Sequence, residues 1–392
     1  MAKPVVISGV GRSAVGRKLG RSALSLTVDA IKDALQDSGL SLRDIDGLST
    51  WPGHNPEMKG MAPVGIPQVK EALRLELDWF CGAGETAGQL GAFVNACAAI
   101  AAGLARHVVV FRTITESSVQ AAERAKPPKA DGAWSVPDSL QWQIPFYAFS
   151  PANWVALYAA AHFDRYGTTR EQLAQVALNG RRNAERNPDA LLRAPLTMAE
   201  YLASRMISTP LCLLDCDMPA DGSVAIILSR REAAHDLRHG RPITVEALGC
   251  AMHGRDSWDQ FTNLAAIRSQ DDSAKQMWSR TDLKPGDVDF AEIYDGFSFL
   301  TLAWLESLGF CPHGEGGRFL EGGRNISYEG RLPINTDGGQ LSGARLHGYG
   351  FLYECCKQLW GEAGERQLVR RHEVAVAAVG GGAQAACMLL AI

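Results

Sequence analysis

The chain has no apolar run that approaches the roughly 20 residues needed to cross a bilayer, so a membrane span is not expected. It has little excess charge. Lys and Arg total 39 against 43 Asp and Glu, a formal net charge of −4. That balance gives no electrostatic case for nucleic acid or an anionic membrane surface. The nine cysteines are scattered. Cys212/Cys216 and Cys355/Cys356 are the close pairs, and neither has further ligands at zinc-site spacing. No metal or redox cofactor is indicated. Dispersed thiols predict a reduced, cytoplasmic protein. The start, MAKPVVISGVG, reads as a strand and lacks the apolar h-region of a signal peptide.

What the chain does have is length and a core. It has 392 residues, 46% of them hydrophobic, enough for two to three domain-sized units. Residues 4–10 read as a strand, 22–38 as a helix with Val28, Ile31, Ala34 and Leu35 at helical spacing, and 73–81 as a strand. A small-residue helix over 86–104 and a buried strand over 107–113 follow. The alternation predicts an α/β sheet covered by helices. Residues 115–210 differ, with a KPPKADG stretch, an aromatic QWQIPFYAF segment and Ala/Arg-rich helices. They read as an inserted helical subdomain. Thr168 and Glu171 predict a capping box for its helix near 169–185. The apolar pattern returns at 220–229 and again at 380–392. VISGVGRS (6–13) and VEALGCAM (245–252) are loosely alike, which suggests two related halves, 1–241 and 242–392.

Three segments of the last third carry the chemistry: AEIYDGFSF (291–299), NTDGGQLSGARLHGYG (335–350) and AAVGGGAQAAC (377–387). Each sets polar or small residues at the end of an apolar run, where α/β folds build their sites. Together, in this order, they resemble motifs of the thiolase superfamily. Asp295 and Phe297 fit the first motif, with Tyr294 at its Asn/His position. Gly338, Gly339 and Gly348 fit the second, with Arg345 where thiolases carry a catalytic His. Gly380, Gly381 and Gly382 fit the third, with Ala378 at its Cys position. GRRNAERNPDALLRAPLT (180–197) and STPLCLLDCDMPADGSVAIIL (208–228) resemble the loop domain and return strand of lipid-transfer-type thiolases. The resemblance implies a thiolase-like fold of two α/β halves stacked in five layers (αβαβα), with the helical loop domain inserted near 115–210.

It also implies what is missing. Counting back from Gly103 puts the nucleophile position at Ala87. Cys81 and Cys97, the nearest thiols, read as small buried packing residues. A thiolase needs a thiolate to take the acyl group and a second group to return the proton, and here both positions are replaced. This sequence is similar to the bacterial sterol side-chain aldolases, which cleave a β-hydroxyacyl-CoA by retro-aldol reaction with tyrosines as acid/base groups. The resemblance makes Tyr294 the acid/base residue or an enolate-side donor. The second family tyrosine falls at Arg345, and Tyr349 or His347 on the same loop are the substitutes. His347 is the best conventional base, and Asp295 completes the candidate set. Gly338, Gly339, Gly348, Gly380, Gly381, Gly382 and Ala87 are expected to shape the acyl-CoA pocket. Structural alternatives stand beside these, including an Arg345 paired with Asp337 or Asp295.

The leading expectation is a carbon–carbon lyase on a β-hydroxyacyl-CoA with a sterol or branched chain, needing no cofactor beyond the substrate's coenzyme A. A Claisen-type acyltransferase and a non-catalytic subunit are the competing readings. The resemblance further implies a homodimer and a small zinc-ribbon/OB-fold partner forming a heterotetramer. CoA contacts are expected from the inserted subdomain, near Arg181, Arg182 and Arg186.

Overall fold

The computed structural model describes residues 4–126, 140–148, 150–234, 237–253, 264, 266–370 and 372–392. Most of KPPKADG, from residue 127, lies outside them, as does residue 149 of the aromatic segment. The described residues form eleven strands: β1 (Val5–Arg12), β2 (Gly47–Thr50), β3 (Trp79–Cys81), β4 (His107–Thr115), β5 (Met206–Ser208), β6 (Leu211–Cys212), β7 (Asp221–Arg230), β8 (Ile243–Met252), β9 (Phe290–Ile293), β10 (Val374–Gly381) and β11 (Gln384–Ala391). Nine of them form one sheet in the order β3-β2-β4-β7-β1-β8-β11-β10-β9, and β5 and β6 pair separately.

The sheet repeats itself about one seam. From β1 outward, β1–β7 and β7–β4 are antiparallel and β4–β2 is parallel. From β8 outward, β8–β11 and β11–β10 are antiparallel and β10–β9 is parallel. The strands of the two similar segments, β1 and β8, are equivalent in this pattern and meet at the seam. Only Val6↔Thr244 and Ile7↔Ile243 pair there. Glycine allows close helix contact on both strands. A Cβ on Gly11 would lie 2.1 Å from Ala34 N, and one on Gly249 would lie 1.9 Å from Ser273 O.

Three buried clusters separate five layers. Ile31, Ala34 and Val69 from outer helices pack on Val109, Phe111 and Ile227 of one sheet half. Phe93, Ile100, Phe351 and Leu352, from the Gly91–Ala101 and Tyr349–Trp360 helices, pack between both halves, against Ile7, Val110, Ala377 and Met388. Trp304, Met277 and Leu173 cover the far face, on Ile293, Val376 and Leu389. Phe93 is fully buried, so truncating it to Ala would cost about 3–5 kcal/mol.

Three local expectations are corrected. Residues 73–81 are not one strand. A helix spans Ile66–Leu73, Arg74 ends it in the left-handed region at φ 55°, and only Trp79–Cys81 extend. The amphipathic IPQVKEAL, opened by a proline in its first turn, outweighs the strand pattern. The helix over 86–104 is shorter, a 3-10 turn at Gly88–Leu90 followed by Gly91–Ala101. The capping box sits one residue later, at Thr169 and Gln172. Thr168 is instead 3.0 Å from His162 Nδ1. Among the described residues no helix is long and apolar enough to cross a membrane.

Candidate active site

A cavity of about 480 Å3 opens where segments from both sheet halves converge. Trp51, Gln89, Asp217, Tyr294, Arg345 and His347 supply its polar wall. Met61, Ile207, Leu213, Phe297 and Leu300 supply an apolar one. Tyr294 lies one residue past β9, with its amide donating to Ala378 O at 2.8 Å. Gly296 lets its ring fold back over the turn, since a Cβ there would lie 2.6 Å from the ring. The phenol faces the Gln89 side-chain amide at 3.5 Å. Burial, and then the charge of Asp217, push the Tyr294 phenol well above its usual range, while Arg345 opposes them. Tyr294 therefore keeps its proton at neutral pH.

Arg345 is held by two acids, and they are not the expected ones. Its Nη2 donates to Glu116 Oε2 at 2.6 Å and its Nη1 to Asp217 Oδ1 at 3.0 Å. Asp337 and Asp295 lie elsewhere: Asp337 Oδ1 accepts from the Gly339 amide at 2.8 Å. Glu116 opens the helix that leaves β4. Asp217 sits on a short lacing segment, bridged through Cys216 to Phe297 and through Pro219 to Arg345. The Asp217 amide donates to Gly296 O at 3.1 Å. Burial is the largest force on the Asp217 carboxyl. Arg345 counters it, Glu116 adds to it, and the net result is a pKa pushed up to about 7.

His347 lines the cavity but its ring is already committed. Arginine only donates, so the 2.9 Å contact between Arg112 Nη2 and His347 Nδ1 makes Nδ1 the acceptor. The proton of the neutral ring is then on Nε2, 3.9 Å from Glu116 Oε2. Burial, then Arg112 and Arg345, hold the imidazole well below its ordinary pKa. The best conventional base by sequence thus presents an N–H and a blocked lone pair.

The other candidates stand behind the wall. Asp295 is buried, and its carboxylate accepts from the amides of Gln340 and Leu341 at 2.8 and 3.3 Å. Burial outweighs those two bonds and raises it to about 8. It holds the Gly339–Gly343 loop. Gly339 must be glycine there, with φ 62° and a Cβ position 2.1 Å from Asp295 Oδ2. Tyr349 is fully buried and does not line the cavity, and burial raises its phenol. Gly338 packs on Ala184, and Gly348 packs on Val379. Gly380 O accepts from Gln270 Nε2 and Trp304 Nε1, and Gly382 O from Ser269 Oγ. Gly381 abuts Leu300. These glycines and Ala87 build the framework and are not among the residues lining the cavity. Arg181 is tied to Ser342 and Ala194, and Arg186 covers the Tyr328 ring at 3.9 Å.

No thiol that lines the cavity fits acyl transfer. Cys97 is buried as expected and burial raises its pKa, whereas Cys81 is only half-buried, accepts from Asn95 Nδ2 at 3.5 Å and, like Cys97, does not line the cavity. Cys216 lines the cavity. Burial, then Asp215 and Asp217, push it up to about 12, so no thiolate is available near neutral pH.

Sequence reasoning reached Tyr294, Arg345 and His347. It missed Gln89, Arg112, Glu116 and Asp217. Glu116 carried a signal, an acid at the carboxyl end of the apolar strand HVVVFRT. Asp217, in CDMPADG, carried none beyond its loop.

Comparison with known proteins identifies the family. Residues 250–391 match a family model described as Thiolase C-terminal domain-like. The 17-hydroxy-3-oxo-4-pregnene-20-carboxyl-CoA lyase of Mycobacterium tuberculosis is 35% identical over 375 residues, 91% of each chain. A steroid side-chain-cleaving aldolase of Thermomonospora curvata is 33% identical over 91% of this chain and 90% of that one. A solved Ltp2-ChsH2(DUF35) aldolase superposes with a TM-score of 0.86 at 30% identity, covering 100% of this chain and 98% of the other. Motifs, layers and relatives agree: the chain belongs to the thiolase superfamily, among its sterol-carrier-type members without the cysteine nucleophile.

Proposed function

We propose that this chain cleaves the α–β carbon bond of a β-hydroxyacyl-CoA by retro-aldol reaction, with no acyl-cysteine intermediate. The carrying observation is the cavity itself, which offers a protonated phenol and a clamped guanidinium but no thiolate. A retro-aldol reaction needs a base for the β-hydroxyl proton and donors for the enolate that forms on the thioester. Tyr294 serves as the acid on the enolate side, since its environment keeps it protonated. Arg345 supplies positive potential at that wall. The apolar side, from Met61 to Leu300, suits a bulky hydrocarbon chain. Relatives named for steroid side-chain cleavage support a steroid or similarly branched acyl group. The reaction consumes no cofactor beyond the substrate's coenzyme A. The nine free thiols support a cytoplasmic setting. The name of the Ltp2-ChsH2(DUF35) structure supports a partner protein for this chain; the small zinc-ribbon/OB-fold partner and the homodimer remain what the family resemblance implies.

The deciding assay follows products by mass spectrometry from one β-hydroxyacyl-CoA and one β-ketoacyl-CoA, each with and without free CoA. Cleavage of the hydroxy substrate without free CoA is expected. Cleavage confined to the keto substrate with free CoA would make it a thiolase and sink this reading.

A further inference from the structure

The retro-aldol reading leaves the β-hydroxyl proton without a base. Tyr294 holds its own proton, and His347 turns an N–H toward Glu116. Among the described residues lining the cavity the one carboxylate is Asp217, and its side chain is only 6% exposed. Its ion pair with Arg345 uses Oδ1. Its position is fixed by backbone, through the amide bond to Gly296 O and the bridges at Cys216 and Pro219. Those bonds set it beside the turn that carries Tyr294.

We propose that Asp217 is the catalytic base of this site and takes the β-hydroxyl proton of the hydroxyacyl-CoA. The proposal rests on the retro-aldol reading. The substrate O–H bond breaks and its proton passes to the Asp217 carboxylate. The oxygen's electron pair becomes the new carbonyl bond, the α–β carbon bond breaks, and its pair enters the thioester enolate. The Tyr294 proton then forms the new C–H bond at the α-carbon. Protonated Asp217 returns a proton to the phenolate, which is the stronger base. Nothing is oxidised or reduced, and the products are a carbonyl compound and a shortened acyl-CoA.

The surroundings suit a base that works near neutrality. Arg345 and Glu116 face Asp217 from two other segments, and the charge of Asp217 is felt at Tyr294, Asp295 and Cys216. A lone Asp beside an arginine would be too weak a base. Burial and Glu116 offset that arginine.

The test is the pH dependence of kcat and KM on a β-hydroxyacyl-CoA for wild type, Asp217→Asn and Glu116→Gln, with the melting temperature of each. Wild-type kcat is expected to fall on the acid side of about pH 7. Asp217→Asn should lower kcat by about 100-fold or more, keep KM within about threefold, and lose that acid limb. Glu116→Gln removes a neighbouring negative charge, so its limb should move to lower pH. That shift decides the matter even if Asp217→Asn does not fold. Asp217→Asn within threefold of wild type, or slowed with the acid limb intact, overturns the assignment. So does a Glu116→Gln limb that stays in place. Wild type that leaves the hydroxy substrate whole overturns the retro-aldol reading and this base with it. Wild type that cleaves it alongside an unimpaired Asp217→Asn overturns only the base.

Discussion

Asp37 and Asp217 are both buried aspartates held by a cation about 3 Å away, yet their proton affinities are driven in opposite directions. Asp37 accepts from Lys357 Nζ at 2.8 Å, from the Val10 amide at 2.9 Å and lies 3.2 Å from His239 Nε2. Burial works against its charge, but His239, Lys357 and Val10 outweigh it and lower Asp37 to about 2. Asp217 has one cation, shares it with Glu116, and rises to about 7. Pairing alone does not set the ionisation of a buried acid. Depth of burial comes first, and then the count of donors against the count of carboxylates sharing them. The ligand atoms of Asp37, His239 and Glu362 also lie within 4.8 Å of one another, as a metal site would require. Lys357 Nζ already bonds both carboxylates, at 2.8 and 3.0 Å, which makes this cluster a structural tie.

Substitutions can test that contrast. Tyr294→Phe should give the largest effect, a loss of about a thousandfold in kcat on the hydroxy substrate, with folding intact by circular dichroism. Full activity would remove Tyr294 from the reaction and with it the functional difference between the clusters. Arg345→Met comes next. It strands Glu116 and Asp217 without their cation, a loss of about 3–5 kcal/mol at pH 8. Urea unfolding should show that loss shrinking at pH 5.5, where Asp217 takes a proton. A loss independent of pH would mean that Asp217 does not titrate there. The smallest pair is the sharpest. The folded-state pKa of Asp37 is depressed, so its contribution is present above about pH 4 and is lost as pH falls toward 2. Asp37→Asn should therefore cost about 2 kcal/mol at pH 8. The folded-state pKa of Asp217 is raised, so its ionisation reduces stability as pH rises from about 4 through 7. Thermal unfolding of Asp217→Asn at pH 8 should show no loss against wild type. Equal destabilisation by the two would erase the distinction.

Sequence motifs reached the layered fold because glycines and strand ends leave local marks. Tyr294 and Arg345 were found through segments whose spacing survives in the chain. The helix at Ile66–Leu73 was missed because a short amphipathic run beside a strand carries little periodicity. The cap moved from Thr168 to Thr169 because two adjacent threonines give the same signal. Glu116, Asp217 and Arg345 stand 128 or more positions apart along the chain for each bond made. No local pattern records such a meeting. The His347 tautomer depends on Arg112, 235 positions away, so its unsuitability as a base was equally hidden.

The seam between the sheet halves gives the charge cluster a further property. Glu116 and Asp217 come from the β1–β7 side, and Tyr294 and Arg345 from the β8–β11 side. The backbone joins those sides at only two residue pairs within the sheet. Donor and acceptors thus sit on different halves of the sheet, and only the packing of those halves brings acid and cation together. A shift of one half against the other would change the distances within this ion pair and, with them, the hold on a single proton.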